Sequence, residues 1–273
     1  MAGTDQQGSS HHSDEQEQRQ LVQRRFGATA GSYVTSVVHA QGIDLPWVVE
    51  AAALTGNEEV VDVGTGTGHT ALALAPNARE VVAIDITVPM LEAAQRLAAE
   101  RHITNVRFVQ GDALALPLSS ESADLVVCRL AAHHFPRLTP AVQEWARVLR
   151  PDGKLIVVDS ISPEEPELDS FINELEVLRD SSHVRNYRVS EWVSQLSQAG
   201  LEVGTSRAWS IRLEVQDWTQ RMRTPAAEVE RIIRLLTHAS PEQRESFHIE
   251  NQDGLLAFRL PTAMLVATKP ASV

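Results

Sequence analysis

The hydrophobic positions of this chain fall into alternating blocks. Short runs rich in β-branched residues, at 60–63, 81–84, 106–109 and 125–128, are separated by longer stretches in which apolar residues return every three or four positions. Short continuous runs predict buried strands, and the spaced stretches predict amphipathic helices. The expected order is a strand over 59–64, a helix over 68–75, a strand over 80–85 and a helix over 88–101. Strands over 106–110 and 125–128 follow, then a helix opening at Thr139-Pro140 and a strand over 154–159. In the 88–101 helix, Thr87 is the expected N-cap and Pro89 suits the first turn. Met90, Leu91, Ala94, Leu97 and Ala98 fall on its inward face. Strands separated by helices imply a parallel sheet with right-handed crossovers.

The flanks depart from this rhythm. Residues 1–18 are polar with almost nothing to bury and are expected to be a disordered tail, in which His11-His12 is a solvated pair. The remaining 19–273 are read as one domain. Within 19–56, Val34, Val37, Val38, Trp47, Val48, Ala51 and Ala52 keep helical spacing, while Gly27, Gly31 and Gly42 interrupt it. Two or three short helices are expected there, either as a lid over a ligand site or as a layer on the sheet edge. Phe26, Tyr33 and His39 are its chemistry-bearing residues. Beyond the fifth strand, helices are expected over 168–178 and 190–199, a strand over 201–213, helical patterns over 215–250, and a strand over 255–268 broken near Pro261. The helical additions 162–188 and 214–254 are the parts expected to shape a substrate pocket.

Composition narrows the function. A chain of 273 residues with 43% hydrophobic content can bury a full core without staples. A formal charge of -12 argues against a nucleic-acid surface or an anionic membrane as partner. No apolar run approaches a membrane span, and no apolar core of a signal peptide stands at the N-terminus. The one cysteine, Cys128, excludes an internal disulfide and fits a reducing compartment, so a cytoplasmic protein is expected, as a monomer or homodimer. No cluster has metal-ligand spacing, and neither a nucleotide-triphosphate loop nor a nucleophile elbow occurs.

The chemistry gathers where the predicted strands end. Val63-Gly64-Thr65-Gly66-Thr67-Gly68 closes the first strand with glycines at alternate positions. Such a turn lets backbone approach a ligand closely, and the amides opening the next helix favour a polar or anionic group. Its spacing differs from the G-x-G-x-x-G of dinucleotide binders, which disfavours a nicotinamide oxidoreductase. Asp85 ends the second strand, where a carboxylate can accept hydrogen bonds from ribose hydroxyls. Together they point to an adenosine-containing cofactor; an ordinary turn with a solvated acid is the plain alternative.

With these residues placed, the chain resembles the class I S-adenosylmethionine-dependent methyltransferases, in their ubiquinone/menaquinone-biosynthesis type. The resemblance runs through Val61-Asp62-Val63-Gly64-Thr65-Gly66-Thr67-Gly68, Asp85, Gly111-Asp112-Ala113 and Leu149-Arg150-Pro151-Asp152-Gly153-Lys154-Leu155. The stretches 128–135 and 178–185 resemble a narrower bacterial branch. The fold implied is a Rossmann-like, doubly wound α/β sheet of seven mostly parallel strands with an antiparallel last strand, here with helical additions. By position, the resemblance implies that Gly64, Thr65 and Gly66 contact the methionyl part of S-adenosylmethionine, with Asp62 supporting its amino end. Asp85 would bind the ribose, Ile86 and Met90 pack near the adenine, and Asp112, flanked by Gly111 and Ala113, reach its amino group. Arg129 stands where the family often touches the cofactor.

The activity implied is transfer of a methyl group to a small-molecule acceptor, at oxygen or carbon, by in-line displacement without a metal. His133 and His134 are the candidates to take a proton or orient the acceptor; packing and loop roles are the alternatives. Tyr33, His39, His183 and Arg185 are candidate substrate contacts. The DNA-amino methyltransferases' motif is absent after strand four, where Cys128-Arg129-Leu130-Ala131 stands instead. The competing reading is a methyltransferase fold that binds the cofactor but runs another reaction such as a cyclisation, or a non-catalytic binding protein.

Overall fold

The computed structural model describes residues 5–34, 40 and 42–271. Two helices, α1 (Asp5–Val34) and α2 (Asp44–Ala52), precede the first strand. Then come β1 (Glu59–Val63), α3 (His69–Leu74), β2 (Glu80–Asp85), α4 (Val88–Glu100), β3 (Val106–Gln110) and β4 (Ala123–Arg129). They are followed by α5 (Leu138–Val148), β5 (Leu149–Ser162), α6 (Pro166–Arg179), the two-residue β6 (Tyr187–Arg188), α7 (Val189–Gln198) and β7 (Glu202–Glu214). Helices α8 (Val215–Arg221), α9 (Ala226–Thr237) and α10 (Pro241–Ser246), short β8 (Glu250–Gln252) and β9 (Leu255–Thr268) complete the chain.

The main sheet runs β3-β2-β1-β4-β5-β9-β7. The first five strands are parallel, in registers such as Val61 opposite Val82 and Val126. β9 enters antiparallel to both β5 and β7. The expected seven-stranded, mostly parallel sheet with an antiparallel last strand is what forms. Strand order reverses between β1 and β4, so the loops after β1 and β4 diverge at the carboxyl edge and leave a crevice there.

Alternation along the strands sorts the core into two layers. Val61, Val63, Val126, Cys128, Leu155 and Val157 pack with Trp145 of α5 and Trp192 of α7 on one face. Val60, Val81, Leu125, Val127, Ile156 and Val158 pack with Val48 of α2 and Leu74 of α3 on the other. A third cluster is separate from both. Phe171, Ile172 and Leu175 of α6, Trp218 of α8, Ile232 and Leu236 of α9, and Phe247 and Phe258 bury one another beyond the end of the sheet. The two additions thus share a core of their own. Among the described residues no helix is long and apolar enough to cross a membrane.

Two expectations are corrected and one is borne out in position only. Residues 1–18, read as a disordered tail, are helical from Asp5 onward; α1 runs unbroken through Gly27 and Gly31, so of the helices expected before the first strand one is long and α2 is short. Polar residues suffice because the helix is held by specific bonds: Glu15 pairs with Arg137, and Gln18 donates to the carbonyls of His134 and Ser182. A Cβ on Gly27 would lie 3.7 Å from Pro89 Cγ, an ordinary contact, so α1 packs on the start of α4 at this glycine. Thr87 occupies the N-cap position, yet its hydroxyl makes no cap bond. Finally, β9 is continuous through Pro261, which pairs with Ser210 of β7. The β5 ladder ends one residue away at Thr262, so the missing N–H leaves no β5 carbonyl without its donor.

Candidate active site

The carboxyl ends of β1, β2, β3 and β4 surround a cleft of about 990 Å³. At its floor the glycine loop turns through positive φ at Gly64 (+68°), Gly66 (+53°) and Gly68 (+83°). A Cβ on Gly64 would fall 2.6 Å from that of Ala131, in the loop after β4, so glycine is required there on two counts. A Cβ on Gly66 would meet nothing within 4 Å, and Gly66 lines the cleft. The loop therefore turns bare backbone towards the cleft.

Two carboxylates brace this loop. Asp62 is buried beneath it, accepting hydrogen bonds from Thr65 Oγ1 at 2.6 Å and the Ala71 amide at 3.1 Å. Burial pushes its carboxyl up to about 6 against those bonds. Of the residues expected to meet the cofactor, Asp62 is the one that does not line the cleft; it holds the loop that does. Asp85, at the tip of β2, accepts from the Gly66 amide and the Thr87 amide, each at 2.8 Å. Burial raises its pKa as well.

The remaining expected cofactor contacts lie around the same space: Gly64, Thr65, Ile86, Met90, Gly111, Asp112, Ala113 and Arg129 all line it. Asp112 is engaged on both oxygens, with the Leu114 amide at 2.9 Å and Arg19 Nε at 2.7 Å. Arg129 forms a buried two-point ion pair with Asp44 at the start of α2, its second contact at 3.1 Å. The cleft fits S-adenosylmethionine by the chemistry of its donors: a bare-backbone cradle, a strand-tip carboxylate and an apolar slot at Ile86, Met90 and Ala113.

A second cavity of about 780 Å³ adjoins the first and shares Phe26, Tyr33, Leu130 and His134 with it. His134 sits where they meet. Its Nδ1 lies 3.0 Å from the Ser182 carbonyl, which can only accept, so Nδ1 carries the proton and Nε2 keeps its lone pair. Burial, then the charge of His133, pushes its pKa down to about 4. His133 behaves oppositely. Its Nδ1 meets Asp159 Oδ1 at 2.5 Å, and its amide donates to Asp159 Oδ2 at 3.0 Å. Burial opposes the charged form, but Asp159 outweighs it and the pKa is raised.

The stretches 128–135 and 178–185 prove to be partners. The amides of Val184 and Arg185 donate to the His133 carbonyl at 2.8 and 3.2 Å, and the His183 ring stacks on His133 at 5.3 Å. His183 itself is buried behind His133 and lines neither cavity. Arg185 also lines neither; it turns outward to Asp169 and Glu191. Tyr33 lines both cavities, with its hydroxyl 3.2 Å from Met222 Sδ. His39 lies outside the described residues.

Sequence reasoning missed several lining residues. Gln18, Arg19 and Val22 wall the cleft from α1, in a stretch whose polarity suggested disorder or a boundary. Arg221, Trp218 and Thr262 line the second cavity from segments with no motif. Asp159 could have been found, since an acid at the end of the fifth strand stands beside the loop bearing His133.

The methyltransferase domain family matches residues 61–157, the stretch that builds the cleft. An uncharacterized methyltransferase of Bacillus subtilis, YcgJ, is 42% identical over 230 residues, covering 84% of this chain and 91% of that protein. The chain belongs to the S-adenosylmethionine-dependent methyltransferases. The crystal structure of YcgJ superposes with a TM-score of 0.81 at 38% identity, covering 84% of this chain and 99% of that one. A demethylmenaquinone methyltransferase of Deinococcus radiodurans is 35% identical over 156 residues, which cover 55% of this chain and 64% of that protein. This methyltransferase is therefore an enzyme whose cofactor is S-adenosylmethionine.

Proposed function

We propose that this methyltransferase acts on a small-molecule acceptor, at oxygen or carbon, held in the second cavity. The observation that carries the reading is the shared wall: Phe26, Tyr33, Leu130 and His134 face both cavities, so two ligands can meet there. S-adenosylmethionine, when bound, supplies an electrophilic methyl and a leaving group that departs neutral. The protein's part is then alignment, exclusion of water and handling of one proton.

The glycine loop would receive the methionyl end, Asp85 the ribose hydroxyls, and Ile86 and Met90 the adenine. α1 acts as the lid, walling off the cleft with Gln18, Arg19, Val22 and Phe26. His134 Nε2 accepts the acceptor's proton. It is suited to this because its depressed pKa keeps it unprotonated at neutral pH and its Nδ1–H is fixed by the Ser182 carbonyl. His133, kept protonated longer by Asp159, places a positive charge beside the anion that forms. The net charge of -12 supports a small-molecule acceptor over a nucleic-acid one.

The test is a turnover assay with methyl-labelled cofactor and metabolite extracts. The expected result is a labelled small molecule with stoichiometric S-adenosylhomocysteine. Measurable affinity for S-adenosylhomocysteine with no methyl transfer across broad extracts would overturn the reading in favour of another reaction on the same fold.

A further inference from the structure

The far end of the second cavity carries more positive charge than its surroundings account for. Arg179 closes α6 and Arg221 closes α8, and both line the cavity. Arg179 is engaged: its guanidinium stacks on the Trp218 ring at 5.3 Å, Nε donates to the Trp218 carbonyl at 3.3 Å, and Glu176 lies 3.9 Å away. Arg221 is half-buried and makes no hydrogen bond or ion pair with any described residue. Glu176 is the one acid lining this cavity, while the charge of His133 is matched by Asp159. Among the lining residues two guanidiniums face one carboxylate, one positive charge in excess, with Asp217 of α8 the further acid acting on Arg221. Burial depresses the Arg221 pKa, and the neighbouring Arg179 depresses it further. A desolvated cation without a partner is unfavourable unless a ligand supplies one. Beside it the Tyr33 hydroxyl is held by a thioether, a weak acceptor that a better one displaces. Much of the remaining wall is apolar, with Ile211, Leu213, Trp218 and Leu260 beside the hydroxyls of Ser160 and Thr262.

We infer that the acceptor is a monocarboxylate with an apolar body, its carboxylate bound by Arg221 with Arg179 and its methyl-accepting end lying at His134. This rests on reading the second cavity as the acceptor site. Arg221 is then the residue that selects acid over neutral analogues, through a charge-assisted, two-point bond. One excess charge matches a carboxylate rather than a doubly charged phosphate.

The experiment titrates the full-length protein with hydrocinnamate, its neutral amide and phenyl phosphate by calorimetry, with and without saturating S-adenosylhomocysteine. The acid is expected to bind about tenfold or more tighter than the amide. Arg221→Gln should bring the two within about twofold, and Arg221→Lys should retain part of the preference. S-adenosylhomocysteine should bind Arg221→Gln as it binds wild type, which reports that the variant is folded. Equal binding of acid and amide, no acid binding at millimolar concentration, preference for the phosphate, or discrimination that survives Arg221→Gln would each overturn the inference. Acid selectivity without any S-adenosylhomocysteine affinity would keep the carboxylate site at Arg221 but remove the proposed reaction and, with it, the bound acid's role as acceptor. Cofactor affinity and turnover without acid selectivity would do the reverse.

Discussion

The cofactor cleft and the second cavity are made of different material. The cleft is built largely by backbone: turns at strand ends, positive-φ glycines, and carboxylates that accept from loop amides, with Thr65 Oγ1 and Arg19 as their side-chain partners. All but its α1 wall comes from the alternating strand–helix unit that the family match covers. The cavity is built by side chains from α1, α6, β7, α8 and β9, with the loop after β4 and Ser160 of β5, far apart in the chain and several of them part of a separate hydrophobic cluster. A site made of backbone tolerates little change in sequence. One made of side chains on its own core can be refitted to a new ligand while the sheet stays as it is.

The sharpest way to break the comparison is at the glycine loop. Gly64→Ala forces an alanine into positive φ and drives its Cβ onto Ala131. We expect a loss of about 2 kcal/mol or more in stability, with cofactor affinity reduced more than tenfold. Gly66→Ala separates the two effects, because its Cβ meets only open space. It should lose about 1 kcal/mol or somewhat more through backbone strain, while its methyl still obstructs the cofactor. Thermal unfolding and S-adenosylhomocysteine titration of both variants check this; a Gly64→Ala protein with wild-type affinity would contradict a backbone-built cradle.

Second in size is His134→Gln, expected to lower kcat by about 10² to 10⁴ with cofactor affinity nearly unchanged. Its pH behaviour sharpens the point. With His134 at about 4, activity should climb through that region and stay level across neutrality, then decline where His133, whose pKa lies above 6.5, loses its proton. Stability carries the same signs. The unfolded chain protonates His134 more readily than the folded one, so folding loses support as pH falls from about 6.5 towards about 4. His133 works the other way: its contribution is complete below 6.5 and disappears as pH rises through its raised value. A denaturation series across acid pH should find His134→Gln less acid-sensitive than wild type.

The smallest effect is expected at Arg185. It is 30% exposed and paired with Asp169 and Glu191, away from both cavities. Arg185→Ala should change kcat and KM by less than about twofold and stability by about 1 kcal/mol or less, discounted for solvent screening. Steady-state kinetics showing a large rise in KM would return Arg185 to the acceptor site.

The same contrast explains what could be read from the chain. The order of strands and helices over 59–159, the glycine turn and Asp85 were legible because each rests on a local rule: a run of β-branched residues, a turn that needs glycine, an acid at a strand tip; β5 departs in its bounds, running over Leu149–Ser162 where a strand over 154–159 was expected. Arg221 had no such rule. It gains its meaning from Arg179, forty-two positions earlier, and from Tyr33 on the first helix. The first helix was missed for a related reason. Its polarity suggests a solvated tail, and only the distant His134 and Ser182 carbonyls show what Gln18 is for. His183 and Arg185 were placed near the right loop, but which side chain turns inward is decided by packing against His133 and Asp169, not by spacing.

One helix, α1, contributes a wall to both cavities: Arg19 reaches Asp112 on one side, and Tyr33 reaches Met222 on the other. Occupancy of the two spaces is therefore thermodynamically linked. Whatever free energy one ligand gains by drawing this helix into place is felt by the other, and reciprocity requires the two affinities to shift by the same factor. A methyl donor that firms the helix thereby readies the neighbouring space for its acceptor.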